Sequence, residues 1–340
     1  MAPAATPARV AVIPLLEGLL LAVGAVLPLL LDHFWVVLAT RIAIVCLVAL
    51  SFDVLWGYAG IMSFGQALFY GTAAYAAALL ARDLGITSIF VVVPVCILTG
   101  LALALVMAWF LLLGRYPPSL IFVGLGTLTG SNAADRLARG WYYLGGQNGI
   151  PSIPPLTAGS YAIVEGPVYY YLAFGTLLVV YVLCRVLVRS QLGLVLAGIR
   201  QHEDRITFLG YRVQRVKALI FTFAGGICGL AGGLIAFHDG FVWPNLLGVL
   251  LSTQIVLYVL FGGVGTLVGA VIGVASIDYA SFVLADHYPG IWPILLGLLL
   301  LVVVVFRPTG LCGFLVPARE RVGRFGRVPA PVTGEPRAAA

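Results

Sequence analysis

The stretch RSQLGLVLAGIRQHEDRITFLGYRVQRVK, Arg189–Lys217, is the one long polar interval in a chain that is otherwise almost continuously apolar. It holds six basic and two acidic residues between the apolar segments 168–188 and 218–237. Arginine-rich loops between membrane spans stay in the cytoplasm. A short amphipathic helix tied at both ends to membrane helices is suited to pass force from a soluble partner, so we interpret residues 189–217 as a docking loop. Charge alone equally favours a basic loop held near anionic lipid.

The composition is that of a membrane protein. The 340 residues are 61% hydrophobic and 9% charged, against roughly 25% charged in ordinary soluble domains. The net charge of +6 lies in loops and at the ends of apolar segments, without the aromatic and basic groove pattern that binds nucleic acid. Five scattered cysteines without CxxC spacing predict neither a disulfide framework nor a metal site. The chain is therefore predicted to be an all-α polytopic membrane protein without nucleic-acid partners.

A membrane-spanning helix needs ~20 mostly apolar residues, and this criterion divides the chain into about ten spans. The stretch 247–285 is too long for one pass and carries FGGVGT in its middle, so it is predicted to form two passes joined by a glycine turn. The candidate spans are residues 10–31, 34–52, 58–80, 88–113, 119–137, 168–188, 218–237, 247–261, 267–285 and 291–306.

Ten passes with the docking loop inside place both termini in the cytoplasm, together with most of the arginines. The predicted organisation is a cytoplasmic segment 1–9, a transmembrane domain 10–316 with an external loop 139–167, and a basic, disordered tail 317–340. Glycine and proline in the external loop favour turns over a folded domain. That loop is either a receptor for an external partner or a connector with interfacial aromatic residues.

Few residues suggest chemistry. GxxxxGK[ST] is absent and Lys217 is the only lysine, which excludes a nucleotide-binding loop of that type. The four histidines lack ligand spacing, and we predict no catalytic residue, cofactor or metal. Glu17 lies inside a predicted span, where an ionisable group is a functional candidate. It indicates either an ion-coupled secondary transporter or a structural pairing with Arg41, whereas Asp53 is predicted near a span end that water reaches.

Two glycine-rich stretches interrupt the spans. The first places Gly57, Gly60 and Gly65 beside Ser63 and Gln66. Glycine permits close helix packing and lets the backbone unwind where it lines a cavity. This stretch therefore predicts either a substrate path or tight packing without a pore. The second set is suited to a tight turn with close packing, and its members are Gly262, Gly263 and Gly265.

Five motifs, in order, resemble the inner-membrane permeases of branched-chain amino-acid ABC importers, the LivM type in particular. The similarity covers residues 51–313. The motifs are DVLWGYAGIMSFGQALFYGTAAYAAALL (53–80), LGGQNGI (144–150), GIRQHEDRITFLGYRVQRVKALIFTFAGGICGLAGGL (198–234), VLFGGVGTLVGAVIG (259–273) and FRPTGLCG (306–313). Each motif alone is weak, but the shared order is specific.

The resemblance implies an ABC importer permease fold that pairs with a second, similar permease. It also implies two cytoplasmic ATPase subunits and a periplasmic or lipid-anchored binding protein as partners. Residues 198–210 match the family's coupling helix, which sits in a groove of the ATPase. The residues that this match assigns to coupling are Glu203, Asp204, Arg205, Leu209 and Gly210, and those of the external motif are Gly145, Gly146, Asn148 and Gly149.

The sequence departs from the family pattern at Gln66, where the family commonly has histidine, and at Asn132, where it commonly has a carboxylate. A path of Ser63, Phe64, Gln66 and Asn132 would suit a small zwitterion or a neutral solute. We therefore predict an inner-membrane permease for branched-chain or related hydrophobic amino acids. Urea, short amides and small carboxylates are alternative substrates, and a secondary transporter, a channel or an assembly protein are alternatives from other classes.

Overall fold

A computed structural model describes residues 12–114 and 120–287, together with the single positions 291, 294, 297, 298, 301 and 310. The predicted segment 1–9, the tail 317–340 and most of the tenth predicted span lie outside the described residues. Within them the chain is almost entirely helical. The helices are α1 (Val12–Leu30), α2 (His33–Phe52), α3 (Gln66–Asp83), α4 (Ile89–Leu111), α5 (Leu120–Gly140), α6 (Pro167–Arg189), α7 (Gln191–Gln201), α8 (Glu203–Phe208), α9 (Val213–Asp239), α10 (Val249–Gly262) and α11 (Leu267–His287).

Helices α1–α6 and α9–α11 each coincide with one predicted span. Five helical stretches of the described chain are long and apolar enough to cross a membrane, namely His33–Tyr58, Ile89–Leu111, Pro167–Arg189, Val213–Asp239 and Leu267–Ala285. The stretch 247–285 does form two helices, α10 and α11, separated by the glycine turn. The protein is a polytopic helical membrane protein.

The third predicted span begins too early. Helix α2 continues into a π-helical segment, Asp53–Tyr58, and regular helix resumes only at Gln66. Gly60, at φ 72°, ends the π segment in a conformation that suits glycine, and the amide of Ile61 reaches back to the carbonyl of Leu55 at 2.9 Å. The apolar run 58–80 therefore contains a break in the helix that hydropathy does not register.

Helix α9 is the centre of the bundle and packs against α2, α3 and α4. Its glycine-rich face allows this approach: a Cβ built on Gly229 would lie 3.0 Å from Cα of Gly100 on α4, and one on Gly232 would lie 3.1 Å from the amide nitrogen of Ala74 on α3. Small residues that bring helix backbones together are typical of membrane interfaces.

Helix α1 lies along α6 in the opposite direction. The hydroxyl of Tyr170 donates to the carbonyl of Gly24 at 2.7 Å, and Glu17 forms an ion pair with Arg185. The predicted pairing of Glu17 with Arg41 is therefore wrong. Arg41 lies nine residues into α2 and is exposed, whereas the antiparallel packing of α1 on α6 brings Arg185 to the level of Glu17.

The external loop consists of turns, as predicted, but it also contains two short strands that the sequence did not indicate. Strands β1 (Leu156–Ala158) and β2 (Tyr161–Ile163) form an antiparallel hairpin in which Leu156 faces Ile163. Isolated bridges join Thr157 to Ser88 and Ile150 to Val242. The loop is thus attached to the ends of α4 and α9, at the opposite end of α6 from the docking loop.

Candidate functional site

The docking loop folds as two helices, α7 and α8, rather than the single short helix expected. His202, extended at φ −152° and ψ 96°, separates them. A Cβ on Gly198 would lie 2.5 Å from Cδ1 of Ile206, so the absence of a side chain at residue 198 lets α8 fold back against α7. The break arises from this tertiary contact and from the extended backbone of His202.

The tip of the docking loop presents apolar side chains beside charged ones. Phe208 is 91% exposed and Leu209 67% exposed, next to the exposed residues Asp204 and Arg205. Gly210, at φ 88°, turns the chain after α8. An exposed aromatic and aliphatic pair framed by charge is the composition expected of a protein-binding surface.

Glu203 connects this tip to the membrane helices. Its Oε2 lies 2.6 Å from Nζ of Lys217 on α9, and the lysine is only 6% exposed. Burial of an ammonium group is costly unless it is paired, so this bond holds the start of α8 against the second turn of α9.

Arg200, at the end of α7, connects the docking loop to α2. Its guanidinium donates to the carbonyl of Gly57 in the π segment, and its Cγ lies 3.1 Å from where a Cβ of Gly60 would be. Burial lowers the pKa of Arg200, while Asp53 and Tyr58 act in the opposite direction. An arginine remains charged under such a shift, so a cation lies against the carbonyl end of the π segment.

The π segment in turn touches the glycine turn between α10 and α11. Oδ1 of Asp53 accepts a hydrogen bond from the amide of Gly265 at 2.7 Å. A Cβ on Gly57 would lie 2.7 Å from that same amide nitrogen. Asp53 is 0% exposed, so the expectation that water reaches it is wrong: the glycine turn covers it. We call Asp53, Gly57, Arg200 and Gly265 the junction.

The last family motif reaches the same place. Gly310 is buried, and a Cβ built on it would lie 2.5 Å from Cα of Gly263. Four of the five motifs singled out in the sequence, separated by up to some 250 positions, therefore meet around the junction. The remaining motif, LGGQNGI (144–150), lies at the opposite end of the bundle.

The glycines of LGGQNGI shape the start of the external loop. Gly145 and Gly146 have φ of 84° and 58°, and Gly149 has φ 74°. A Cβ on Gly149 would lie 2.9 Å from Cα of Trp243, so this residue fixes the loop against the segment after α9, whereas Asn148 is exposed.

The predicted path residues do not come together as one lining. Ser63 and Gln66 are both 0% exposed, and Oε1 of Gln66 accepts from Ser51 at 3.2 Å and from Cys228 at 2.8 Å. Phe64 is half-buried and Asn132 lies on the exposed face of α5. Gly57 and Gly65 both serve close packing in this conformation, Gly65 with its Cβ position 3.0 Å from Thr127. The path through Ser63 and Gln66 stays a prediction.

Sequence reasoning missed the individual bonds of the junction. Arg200 was counted only as one of several loop cations, and its partner Gly57 is 143 positions away. The available signal was the presence of Arg200 inside the motif that begins at Gly198.

The helical bundle and the polar segment that projects from it are those of a polytopic membrane protein, and similarity to known proteins gives its class, a membrane permease component. A family profile described as the permease component of branched-chain amino acid transport systems matches residues 35–304, and the chain belongs to that family. Its relatives are transport permeases, which are not themselves enzymes.

Among the similar proteins is the high-affinity branched-chain amino acid transport system permease protein LivM of Escherichia coli, 27% identical over 318 residues, covering 86% of this chain and 73% of LivM. BraD of Pseudomonas aeruginosa, with the same description, is 28% identical over 48% of this chain and 55% of its own length. The autoinducer 2 import system permease protein LsrC of Salmonella typhi is 31% identical over 37% of this chain and 39% of its own. No solved structure matches significantly.

Proposed function

We propose that this chain is the transmembrane subunit of an ATP-driven ABC importer that carries branched-chain or related hydrophobic amino acids across the bacterial inner membrane. Membership of the permease family and the likeness to LivM and BraD over large parts of the chain support this assignment. In the proposed topology ten helices span the membrane and both termini are cytoplasmic. Hydrolysis of ATP belongs to partner subunits.

The observation that carries the proposal is the junction. Arg200 of the docking loop binds Gly57 of the π segment, and the π segment binds Gly265 of the turn before α11. A displacement of α7 therefore acts directly on two membrane-embedded segments. Packed elements shift between discrete arrangements rather than deform continuously, so closure of a docked ATPase dimer would switch the bundle between inward- and outward-facing states.

Three surfaces suit the three partners. The exposed tip of the docking loop would enter a groove of an ATPase subunit through the residues Glu203, Asp204, Arg205, Leu209 and Gly210. The external loop, 139–167, would receive the binding protein. The exposed face of α5, which carries Thr129, Asn132 and Arg136 at helical spacing, would line a path shared with the second permease subunit.

The substrate class rests on the relatives. LivM and BraD are named for branched-chain amino acids and LsrC for autoinducer 2, so the family serves more than one solute. Gln66 and Asn132 are neutral amides and would pass an uncharged solute as readily as a zwitterion. Urea, short amides and small carboxylates therefore form the second group of candidate substrates.

An ion-coupled secondary transporter is the alternative from another class, since it would use Glu17. That carboxylate already accepts from Tyr181 at 2.6 Å and pairs with Arg185, which favours a structural role. Uptake into vesicles that contain the partner subunits separates the two classes, because ATP-driven uptake persists when ionophores collapse the ion gradients.

The docking assignment is tested with Asp204→Lys and Leu209→Asp, because both side chains are exposed and neither change disturbs the packing. Truncating interface anchors costs more than ~1 kcal/mol each, so for the pair we expect co-purification of the ATPase to weaken at least about 30-fold. Asp32→Lys, an exposed acidic residue between α1 and α2, is the matched control. Wild-type co-purification and uptake in the double variant would remove the docking assignment.

A further inference from the structure

A cleft of about 230 Å³ lies between α1, α6 and α11, and none of the residues that line it belongs to the junction or to the predicted path. Its walls are apolar and come from all three helices. They include Leu20 and Leu21 of α1, Phe174 and Leu178 of α6, and Val268 and Val271 of α11.

One end of the cleft is polar. Glu17 and Arg185 form an ion pair there, the hydroxyl of Tyr181 donates to Oε1 of Glu17 at 2.6 Å, and the guanidinium of Arg185 donates to the Tyr181 oxygen at 3.3 Å. The side chains of Arg185 and Glu17 retain 22% and 16% exposure. Each charge is thus accessible to a further group of opposite sign.

The polar end lies near the membrane surface. Arg185 is four residues from the end of α6, which places it, and Glu17 that pairs with it, ~6 Å inside the end of that helix at 1.5 Å per residue. The boundary between headgroups and acyl chains lies at ~5–10 Å depth. Phe174, eleven residues before Arg185, is ~16 Å nearer the middle of the bundle. The polar end of the cleft therefore lies at the level of a lipid headgroup, and its apolar part lies at the level of the acyl chains of the same leaflet.

The cleft opens sideways toward the bilayer rather than toward the core. Val182 of α6 lines it and is 48% exposed, and neighbouring apolar side chains of the same helix, Val179 and Val186, are also exposed. Its volume is below the ~300–1,000 Å³ of pockets that enclose a whole drug-sized ligand. It suits part of one acyl chain whose remainder stays in the bilayer.

We propose that this cleft binds a zwitterionic membrane phospholipid with an ethanolamine headgroup. The phosphate would bind Arg185, the ammonium would bind Glu17, and one acyl chain would occupy the space between Leu178 and Val271. The mutual neutralisation of the ion pair disfavours a purely anionic headgroup and matches a headgroup that carries both charges. The bound lipid would brace α6 against the first two turns of α11, directly after the glycine turn. Binding does not depend on the proposed transport function.

The test uses the full chain in lipid vesicles with a phosphatidylethanolamine that carries a photoactivatable diazirine in the middle of one acyl chain. Mass spectrometry is expected to locate the crosslinks near Leu178 and Val271. Val182→Trp fills the mouth of the cleft, and Val179→Trp is the control because it is the same change at an exposed valine one turn away. Burial of the acyl-chain segment in the cleft contributes ~3 kcal/mol. Because Val182→Trp removes this burial, we expect crosslinking to drop at least 10-fold in that variant and not to drop in Val179→Trp.

Headgroup recognition is tested with the same diazirine chain on phosphatidylglycerol and with the double variant Glu17→Gln/Arg185→Gln, which removes both charges together. A charge-assisted hydrogen bond contributes ~1.5–3 kcal/mol, so the ethanolamine lipid is expected to crosslink about 10-fold more than the glycerol lipid in the wild type. The double variant should abolish this preference. Equal labelling by both headgroups, equal loss in the two tryptophan variants, or displacement by free leucine would each overturn the proposal.

Discussion

Gly57→Ala tests whether the junction depends on direct backbone contact between the π segment and the glycine turn. A methyl group at residue 57 would lie 2.5 Å from Oδ1 of Asp53 and 2.7 and 2.8 Å from the amide nitrogen and Cα of Gly265. Ordinary contacts are 3.4–4 Å, and backbone atoms cannot rotate away. The two segments must therefore separate.

The magnitude follows from three contributions. Overpacking a tightly packed interior costs ~1–3 kcal/mol, and loss of the hydrogen bond from Gly265 to Asp53 leaves buried polar groups unpaired at ~1–3 kcal/mol. Against these, alanine is favoured over glycine in a helix by ~1 kcal/mol. We expect a net destabilisation of about 1–5 kcal/mol and loss of coupling between ATP hydrolysis and uptake.

The assay is thermal unfolding followed with a dye that fluoresces on reaction with thiols, because Cys46, Cys96, Cys184 and Cys228 are all buried. Cys312 is replaced by serine in every variant. Gly175→Ala in α6 is the matched control: a Cβ there meets no atom of the described chain within 4 Å, so this change should be neutral or stabilising by up to ~1 kcal/mol. If Gly57→Ala unfolds at or above the temperature of the control, the junction is not close-packed in the membrane and the reasoning fails.

Two further predictions concern polar bonds at opposite ends of the bundle. Hydrogen bonds, first from Arg82 and then from Tyr143, lower the pKa of the Asp83 carboxyl. The stabilising bonds of this carboxylate are therefore complete above the ordinary pKa of ~3.9. They are lost as the pH falls through the lowered pKa. Proteolysis of the external loop should stay slow down to about pH 4 and become faster below that pH. The Asp83→Asn variant should not show this pH dependence. Faster proteolysis already near pH 6 would contradict the prediction. Lys217→Met leaves Glu203 37% exposed to water and removes a buried cation, so stability should change by at most ~1 kcal/mol while ATPase co-purification falls. Unchanged co-purification would show that this ion pair does not position α8.

The membrane helices were largely predictable because each must satisfy its own backbone in an apolar solvent. Hydropathy and length alone located α1–α6 and α9–α11, and the glycine turn at FGGVGT correctly divided the stretch 247–285. The errors occur where tertiary contacts override the local pattern. The early start of the third span arose because residues 59–65, which are not helical, are nearly as apolar as a regular membrane helix.

The candidate site was predictable as a region but not as a set of bonds. Charge pattern singled out residues 189–217, yet nothing local indicates that Arg200 binds Gly57 or that Asp53 binds Gly265, because these partners are 143 and 212 positions apart. Glu17 shows the same limit: its place within a predicted span followed from the apolar run around it, but its partner depended on the antiparallel contact of α1 with α6. Pairing between distant segments is fixed by the packed bundle.

Helices α6 and α7 are joined by Ser190 alone, at φ −76° and ψ 174°. Such a joint has only two rotatable backbone angles, and its hydroxyl already binds the carbonyl of Leu187 at 2.6 Å. No flexible linker separates α6 from α7, so no longer segment can absorb motion between the two helices. A torque that passes from α7 to α6 through the backbone must therefore turn this one residue or swing the ~34 Å length of α6, which makes Ser190 a second connection beside the bond of Arg200 to Gly57.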